Sequence, residues 1–187
     1  GTQSRPSIFQ LDVTLPQPIY REVIGAPERV LVVPNADTYN IIEKYKKSFP
    51  YASFIKGITD EDVVILQPLD ENEIKIRLQE AYNKGLRSCA VALTHSYAYS
   101  KHELQIEKIA KEIGFIHISL SHQISTSVKL LSRAYTTCAD AYLTPILRDY
   151  INGFLNGFSS ELLSKIDVHF MQSDGGLTDC KTFTGFR

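Results

Sequence analysis

The chain has no tryptophan and a single methionine, and its three cysteines, Cys89, Cys138 and Cys180, are odd in number and far apart. None falls in a CxxC spacing, which argues against a disulfide framework and against a structural zinc site. Thiols used this sparingly fit a reducing compartment. An excess of charge is also lacking: 20 Lys+Arg stand against 21 Asp+Glu, a formal net charge of −1. No surplus of cations is left to neutralise phosphates, so a general nucleic-acid or acidic-membrane binder is disfavoured. No apolar run approaches the ~20 residues that span a bilayer. The opening Gly1–Pro6 is polar, unlike a signal peptide. Repeats, low-complexity tracts and Gly/Ser linkers are absent, and so are the phosphate-loop patterns GxxxxGK(S/T) and GxGxxG. What remains is an ordinary globular composition, 43% hydrophobic and 22% charged over 187 residues, long enough to bury a core.

The periodicities are those of an α/β protein. Pro6, Pro16 and Pro18 punctuate an extended opening stretch, Arg5–Leu15. Arg29–Val33, Tyr51–Ile55 and Val63–Leu66 read as strands. Thr38–Ser48 reads as a helix with lysines near its C-terminal end. Asp70 with Glu73 has the capping-box spacing, and Ile74, Leu78 and Ala81 share the helix face that follows. Gly85 stands at that helix's end, and the apolar run Cys89–Leu93 reads as a buried strand. The unit then repeats. Ser100 with Glu103 predicts a second capping box, Ile106, Ile109, Ala110 and Ile113 line a face, Gly114 ends it, and Phe115–Leu120 forms the next strand. Two helix–Gly–strand units in succession predict a parallel sheet. The longest amphipathic signal runs from Ala139 to Phe158, with Pro145 kinking it or marking a start nearer Thr144. Val168–Met171 reads as a strand. Asn, Gly and Ser cluster over Gly153–Lys165, the most plausible domain boundary. The end at Phe186-Arg187, just after a Gly-rich turn, and the start without Met predict a piece of a longer protein.

Several constellations could carry chemistry. Ser173-Asp174-Gly175-Gly176 follows a strand. Its backbone N–H groups could approach an anion while Ser173 and Asp174 bind substrate or order water; it could equally be a hairpin turn, since Asp-Gly favours type I′. His95, His102 and Glu103 flank the end of a predicted parallel strand, where α/β sheets place ligands. They would hold a metal only if they converged; otherwise Glu103 caps a helix and the histidines are packed or solvated. Thr137, with Asp140 three residues on, has N-cap spacing, and Thr136 could instead turn its hydroxyl toward a cleft. Arg5 could anchor a carboxylate through a bidentate pair or lie on the surface. Cys89, inside an apolar run, is expected to be buried and inert. No metal-ligand set is assigned.

Four strings, in order, resemble the 5-oxoprolinase/hydantoinase A family. They are Gln3-Ser4-Arg5-Pro6-Ser7-Ile8-Phe9-Gln10-Leu11 with Tyr20 and Glu28-Arg29-Val30; Leu93-Thr94-His95-Ser96-Tyr97 with His102-Glu103; Thr136 to Pro145 (TTCADAYLTP, close to the eukaryotic members); and Phe170-Met171-Gln172-Ser173-Asp174-Gly175-Gly176-Leu177. Only about Val32–Ile58 is unmatched. The resemblance implies an ATP- and Mg²⁺-dependent amidohydrolase that opens 5-oxo-L-proline to L-glutamate in glutathione turnover. An unstrained lactam is a poor electrophile, and phosphorylating its oxygen would activate it toward water. The resemblance also implies an actin/sugar-kinase/Hsp70-like two-lobed architecture and a cytoplasmic, homodimeric full-length protein. Residues 1–155 would end the first lobe and residues 156–187 begin the second. The family's phosphate-binding turns fall outside this chain, so the piece alone is expected to be inactive. The resemblance would make Asp174 the catalytic residue, with Ser173, Gly175, Gly176, His95, Thr136 and Arg5 in the substrate or nucleotide cleft. Two alternatives remain: an ATP-dependent hydantoinase, and a non-catalytic α/β module using an exposed helix face.

Overall fold

The computed structural model of the chain describes residues 9, 11, 17–33, 38–180 and 182–186. Arg5 and nearly all of the expected extended stretch lie outside them. The elements run β1 (Arg29–Val33), α1 (Thr38–Ser48), β2 (Ser53–Lys56), β3 (Asp62–Gln67), α2 (Glu71–Asn83), β4 (Ser88–Val91), α3 (Lys101–Ile113), β5 (His117–Leu120), α4 (Ser121–Ile124), α5 (Leu130–Leu155), α6 (Ser160–Leu163), β6 (His169–Met171) and β7 (Leu177–Asp179). The chain is α/β, with three small sheets. An antiparallel sheet has the order β1-β3-β2, β4 and β5 pair in parallel, and β6 and β7 form an antiparallel hairpin.

The parallel pair organises the rest. Ser88 pairs with His117 and Val91 with Leu120, and successive side chains point to opposite faces. Val91 and Leu120 join Ile74 and Leu78 of α2 and Ile106, Ile109 and Ala110 of α3 in one apolar core, with Cys89 and Ile118 packed against it. Burial there pushes the Cys89 thiol up to about 11, which accords with an inert thiol. The opposite face carries Ser88, His117 and Ser119, and all three bond to α5. The two strands are therefore sandwiched between α2/α3 and α5.

Local signals explain the entry of α2 and the exit of α3. Asp70 accepts a hydrogen bond from the Glu73 backbone N–H at 3.0 Å, as its spacing predicts. Ile74, Leu78 and Ala81 are buried, and Gly114 ends α3 in a left-handed conformation.

Two expectations at helix starts are overturned. Ser100 is not a side-chain cap for α3. Glu103 does not reach back to the helix start; it is buried and bonds to the strand ends. Thr137 is not an N-cap either. It lies two turns inside α5, where its hydroxyl donates to the Arg133 carbonyl at 2.7 Å. Helix α5 begins at Leu130 because its first turns are held by a buried polar stripe. Arg133, Thr137, Asp140 and Thr144, spaced four, three and four apart, all face inward. Within the apolar pattern Ile151 is buried, whereas Tyr142, Ile146 and Tyr150 are 53%, 56% and 64% exposed.

Pro145 is accommodated within α5. It has no N–H to donate to the Ala141 carbonyl one turn earlier. Ser88 Oγ on β4 donates to that carbonyl instead. The replacement bond ties helix to strand at the one place where the helix ladder is open. Ser88→Ala is expected to lower unfolding free energy by about 1–2 kcal/mol. In a Pro145→Ala background, which supplies the missing N–H, the cost of Ser88→Ala should shrink toward zero. Urea denaturation of the four proteins in this double-mutant cycle measures it.

Candidate functional site

Strands β4 and β5 end side by side at Val91 and Leu120. The segments leaving them, residues 92–100 and 121–129, are where a parallel sheet presents ligand-binding groups. A buried network joins the two. Glu103 is fully buried. Its Oε1 accepts from the Leu93 N–H at 2.9 Å and from Ser121 Oγ at 2.6 Å. Its Oε2 accepts from the His122 N–H at 3.2 Å and lies 2.6 Å from His122 Nδ1. Ser121 Oγ in turn accepts from Arg133 Nε at 2.9 Å and lies 3.0 Å from Ser96 Oγ.

Arg133 is also fully buried. Its remaining N–H groups donate to the carbonyls of Ser127 (2.7 Å), Val128 (3.0 Å), Thr94 (3.1 Å) and Leu93. One guanidinium thus uses every donor of its planar fork to hold both strand-end loops. Leu93 is gripped twice, by Arg133 at its carbonyl and by Glu103 at its N–H, and this sets the path of the His95 loop.

Lower on α5, Asp140 Oδ2 accepts from Ser119 Oγ at 2.6 Å and lies 3.3 Å from His117 Nε2. Its Oδ1 accepts from Thr144 Oγ1 at 2.6 Å. Thr144 Oγ1 also accepts from the Gly185 N–H at 2.8 Å. A Cβ at Gly185 would lie 2.6 Å from Leu143 Cβ, so only glycine allows that approach. Burial raises the Asp140 pKa, but hydrogen bonds from His117, Ser119 and Thr144, with the His117 charge, outweigh it and hold the carboxyl below its usual value.

The expected site residues are distributed as follows. Ser173–Gly176 forms the β6–β7 turn. The Gln172 N–H donates to the Gly176 carbonyl (2.7 Å), the Gly175 N–H to the Gln172 carbonyl (3.0 Å), and the Gly176 N–H to Asp174 Oδ1 (2.8 Å). Gly175 has φ +86°, which a side chain would disfavour. The turn leaves Ser173 and Asp174 exposed. His95 is half-buried, against the edge of Tyr97, and its Nδ1 is buried without a hydrogen-bond partner among the described residues. Burial lowers the His95 pKa, with the Arg133 charge adding to the effect and Glu28 opposing it. Thr136 is half-buried and donates to the Ser132 carbonyl at 3.1 Å. His102 does not converge with His95 and Glu103; its Nδ1 lies 2.8 Å from Glu28 Oε2. No described hydrogen bond or ring contact joins the hairpin to the His95 loop. The hairpin packs through Phe170 on Phe154, about 30 Å along α5 from Arg133. Sequence reasoning did not single out Arg133, Ser121 or His122. The signal that could have found Arg133 is the inward stripe it shares with Thr137, Asp140 and Thr144.

Residues 1–114 match the hydantoinase/oxoprolinase N-terminal region, and residues 133–187 match hydantoinase/oxoprolinase. The chain belongs to the hydantoinase/oxoprolinase family. It is 43% identical over its whole length to a 5-oxoprolinase of Dictyostelium discoideum. It is 40% identical to 5-oxoprolinase 1 of Arabidopsis thaliana and 37% identical to a 5-oxoprolinase of Saccharomyces cerevisiae, each again over 100% of the chain. It spans only 14% of the length of each of these relatives. Among its described residues no helix is long and apolar enough to cross a membrane.

Proposed function

We propose that this chain is part of an ATP-dependent 5-oxoprolinase, which opens 5-oxo-L-proline to L-glutamate coupled to ATP hydrolysis. The observation that carries this reading is the 37–43% identity over the whole chain to three 5-oxoprolinases. The parallel β4–β5 unit with helices on both faces supports a place in a two-lobed, actin/sugar-kinase/Hsp70-like parent.

Among the described residues no group of three or more His, Cys, Asp or Glu side chains is placed to hold a metal, and the chain carries neither phosphate-loop pattern. Its contribution lies in orienting the lactam or the attacking water. The exposed Ser173 hydroxyl and Asp174 carboxylate, on a turn held by three hydrogen bonds, are presented for that purpose.

ADP release by the full-length parent with Mg-ATP, with and without 5-oxo-L-proline, tests the reading, with hydantoin as the comparison. Stimulation by 5-oxoproline is expected. Stimulation by hydantoin alone moves the reaction to the cyclic ureide, and none by either overturns it. Asp174→Ala in the parent is expected to lower kcat/KM about 100-fold, while unfolding free energy changes by no more than about 1 kcal/mol, the worth of one exposed hydrogen bond. Retained turnover would reduce Asp174 to a turn former.

A further inference from the structure

We propose that the outward face of α5 is an internal interface, covered in the full-length parent by an uncharged, apolar segment of the same polypeptide from outside residues 1–187. The inference goes beyond the 5-oxoprolinase reading and does not depend on the reaction. From Leu130 to Leu147 the charged residues of the helix are Arg133 and Asp140. Both are buried on its inward side, 0% and 3% exposed. At 3.6 residues per turn, Leu131, Tyr135, Tyr142 and Ile146 lie within about 30° of the line opposite the Arg133–Thr144 stripe. These four side chains are 53–70% exposed. The helix is inverted, with its charges inside and its large apolar side chains outside.

The helices on the other side of the same two strands show how this chain builds a face for water. Helix α2 exposes Lys75, Arg77 and Glu80, and α3 exposes Lys108, Lys111 and Glu112. Charged outer faces of this kind are the rule for a surface helix. The outer face of α5 carries no charge over about 22 Å, from Leu131 to Ile146. An apolar outer face on a helix whose inner face is already bonded belongs to a helix packed on both sides.

The cover follows from three observations. The chain spans 14% of the length of its 5-oxoprolinase relatives, so most of a parent of that size is available to pack here. Helix α5 lies almost wholly in the second matched family region, residues 133–187, while its inward side bonds to Ser88, Leu93 and Thr94 of the first, residues 1–114. The outward face is the side left for further parts of the second region. The β6–β7 hairpin of that region meets α5 at Phe154, about two turns beyond Ile146, and leaves the four outward side chains exposed. An uncharged face also calls for an uncharged cover, because a charge brought against it would lose water without gaining a partner.

The test is hydroxyl-radical footprinting of the wild-type full-length parent, read by peptide mass spectrometry. Rates at Leu131, Tyr135, Tyr142 and Ile146 are compared with those of the same residues in a proteolytic digest of the parent. A close-packed cover excludes water and reagent, so each residue is expected to react at least about tenfold more slowly in the native protein. Less slowing than that at Tyr142 and Ile146 marks an open face and overturns the proposal. The measurement is repeated at dilutions where sedimentation shows the parent to be monomeric. Protection that persists in the monomer is expected. Protection lost on dissociation assigns the face to a second copy and overturns the proposal.

Where the parent does not dissociate, Ile146→Glu decides. It is expected to abolish soluble folded protein or to speed native-state proteolysis within α5 at least about tenfold, with the oligomeric state of any folded protein unchanged. A folded, protease-resistant Ile146→Glu parent overturns the proposal, whether it keeps the wild-type oligomeric state or becomes monomeric. A wild-type parent that opens no cyclic amide overturns the functional reading and leaves the interface standing. Full turnover with an unprotected face overturns the interface alone.

Discussion

Arg133→Met is expected to lower the unfolding free energy by about 3–5 kcal/mol, the cost of breaking a buried ionic network by removing one partner. The arginine is buried and all its N–H groups are engaged. Removing it leaves four carbonyls of the two strand-end loops without that donor, and leaves Glu103 buried without the cation behind Ser121. Arg133→Lys keeps the charge but has three donors on a flexible stem instead of a planar fork of five. It is expected to recover less than half of the loss. Chemical denaturation at neutral pH reads both values. A loss below about 1 kcal/mol for Arg133→Met would show that water replaces the guanidinium and that the loops do not depend on it. Through Leu93 the same change should displace the His95 loop, so hydrogen exchange at residues 93–99 should accelerate more than in the core of α2.

Asp140→Ala is expected to cost about 2–4 kcal/mol at pH 7, since Ser119, Thr144 and His117 all lose the charged acceptor they share. The cost should depend on pH in a definite direction. The folded-state pKa of Asp140 is depressed. Its contribution is therefore fully present above the unfolded-state value of about 4 and is lost as pH falls through the folded-state value. Denaturation curves between pH 7 and pH 3 should show wild type and Asp140→Ala separated by a constant gap down to about pH 5, and then converging. A gap that widens on acidification would contradict the depressed pKa. Asp140→Asn keeps one acceptor, so its cost should be smaller and should show the same narrowing.

Much of the fold was legible because it rests on local rules. The bounds of β1 and α1 coincide with the sequence expectation. Asp70 caps α2 as its spacing predicts, and Gly85 and Gly114 take the left-handed conformations expected beside helix ends. The parallel pairing of β4 with β5 follows from the repeated helix–Gly–strand unit. The same local rules failed at Ser100/Glu103 and Thr137/Asp140. In both cases the acidic member of a spacing that suits a helix cap is recruited by another element. Glu103 is drawn to the ends of β4 and β5, where unpaired N–H groups need an acceptor. Asp140 is drawn to Ser119 and His117 on β5.

The residues that carry the candidate chemistry followed the same division. The sequence by itself determined the α/β class, the order of helices and strands, and the motifs that mark the hydantoinase/oxoprolinase family, because these depend on period, turn chemistry and short strings. Only the tertiary structure decided which face of α5 is inside. Hydrophobic periodicity pointed to Ile151, which is buried, but also to Tyr142, Ile146 and Tyr150, which are exposed, and it missed the buried stripe of Arg133, Thr137, Asp140 and Thr144. The reason is that a polar side chain can be buried when fixed donors and acceptors await it. Those partners, the Leu93 and Thr94 carbonyls, Ser119 and Ser121, come from strands and loops distant in the chain. No window of sequence contains both halves of such a bond, so Glu103, His122 and Arg133 meet only once the strands are side by side.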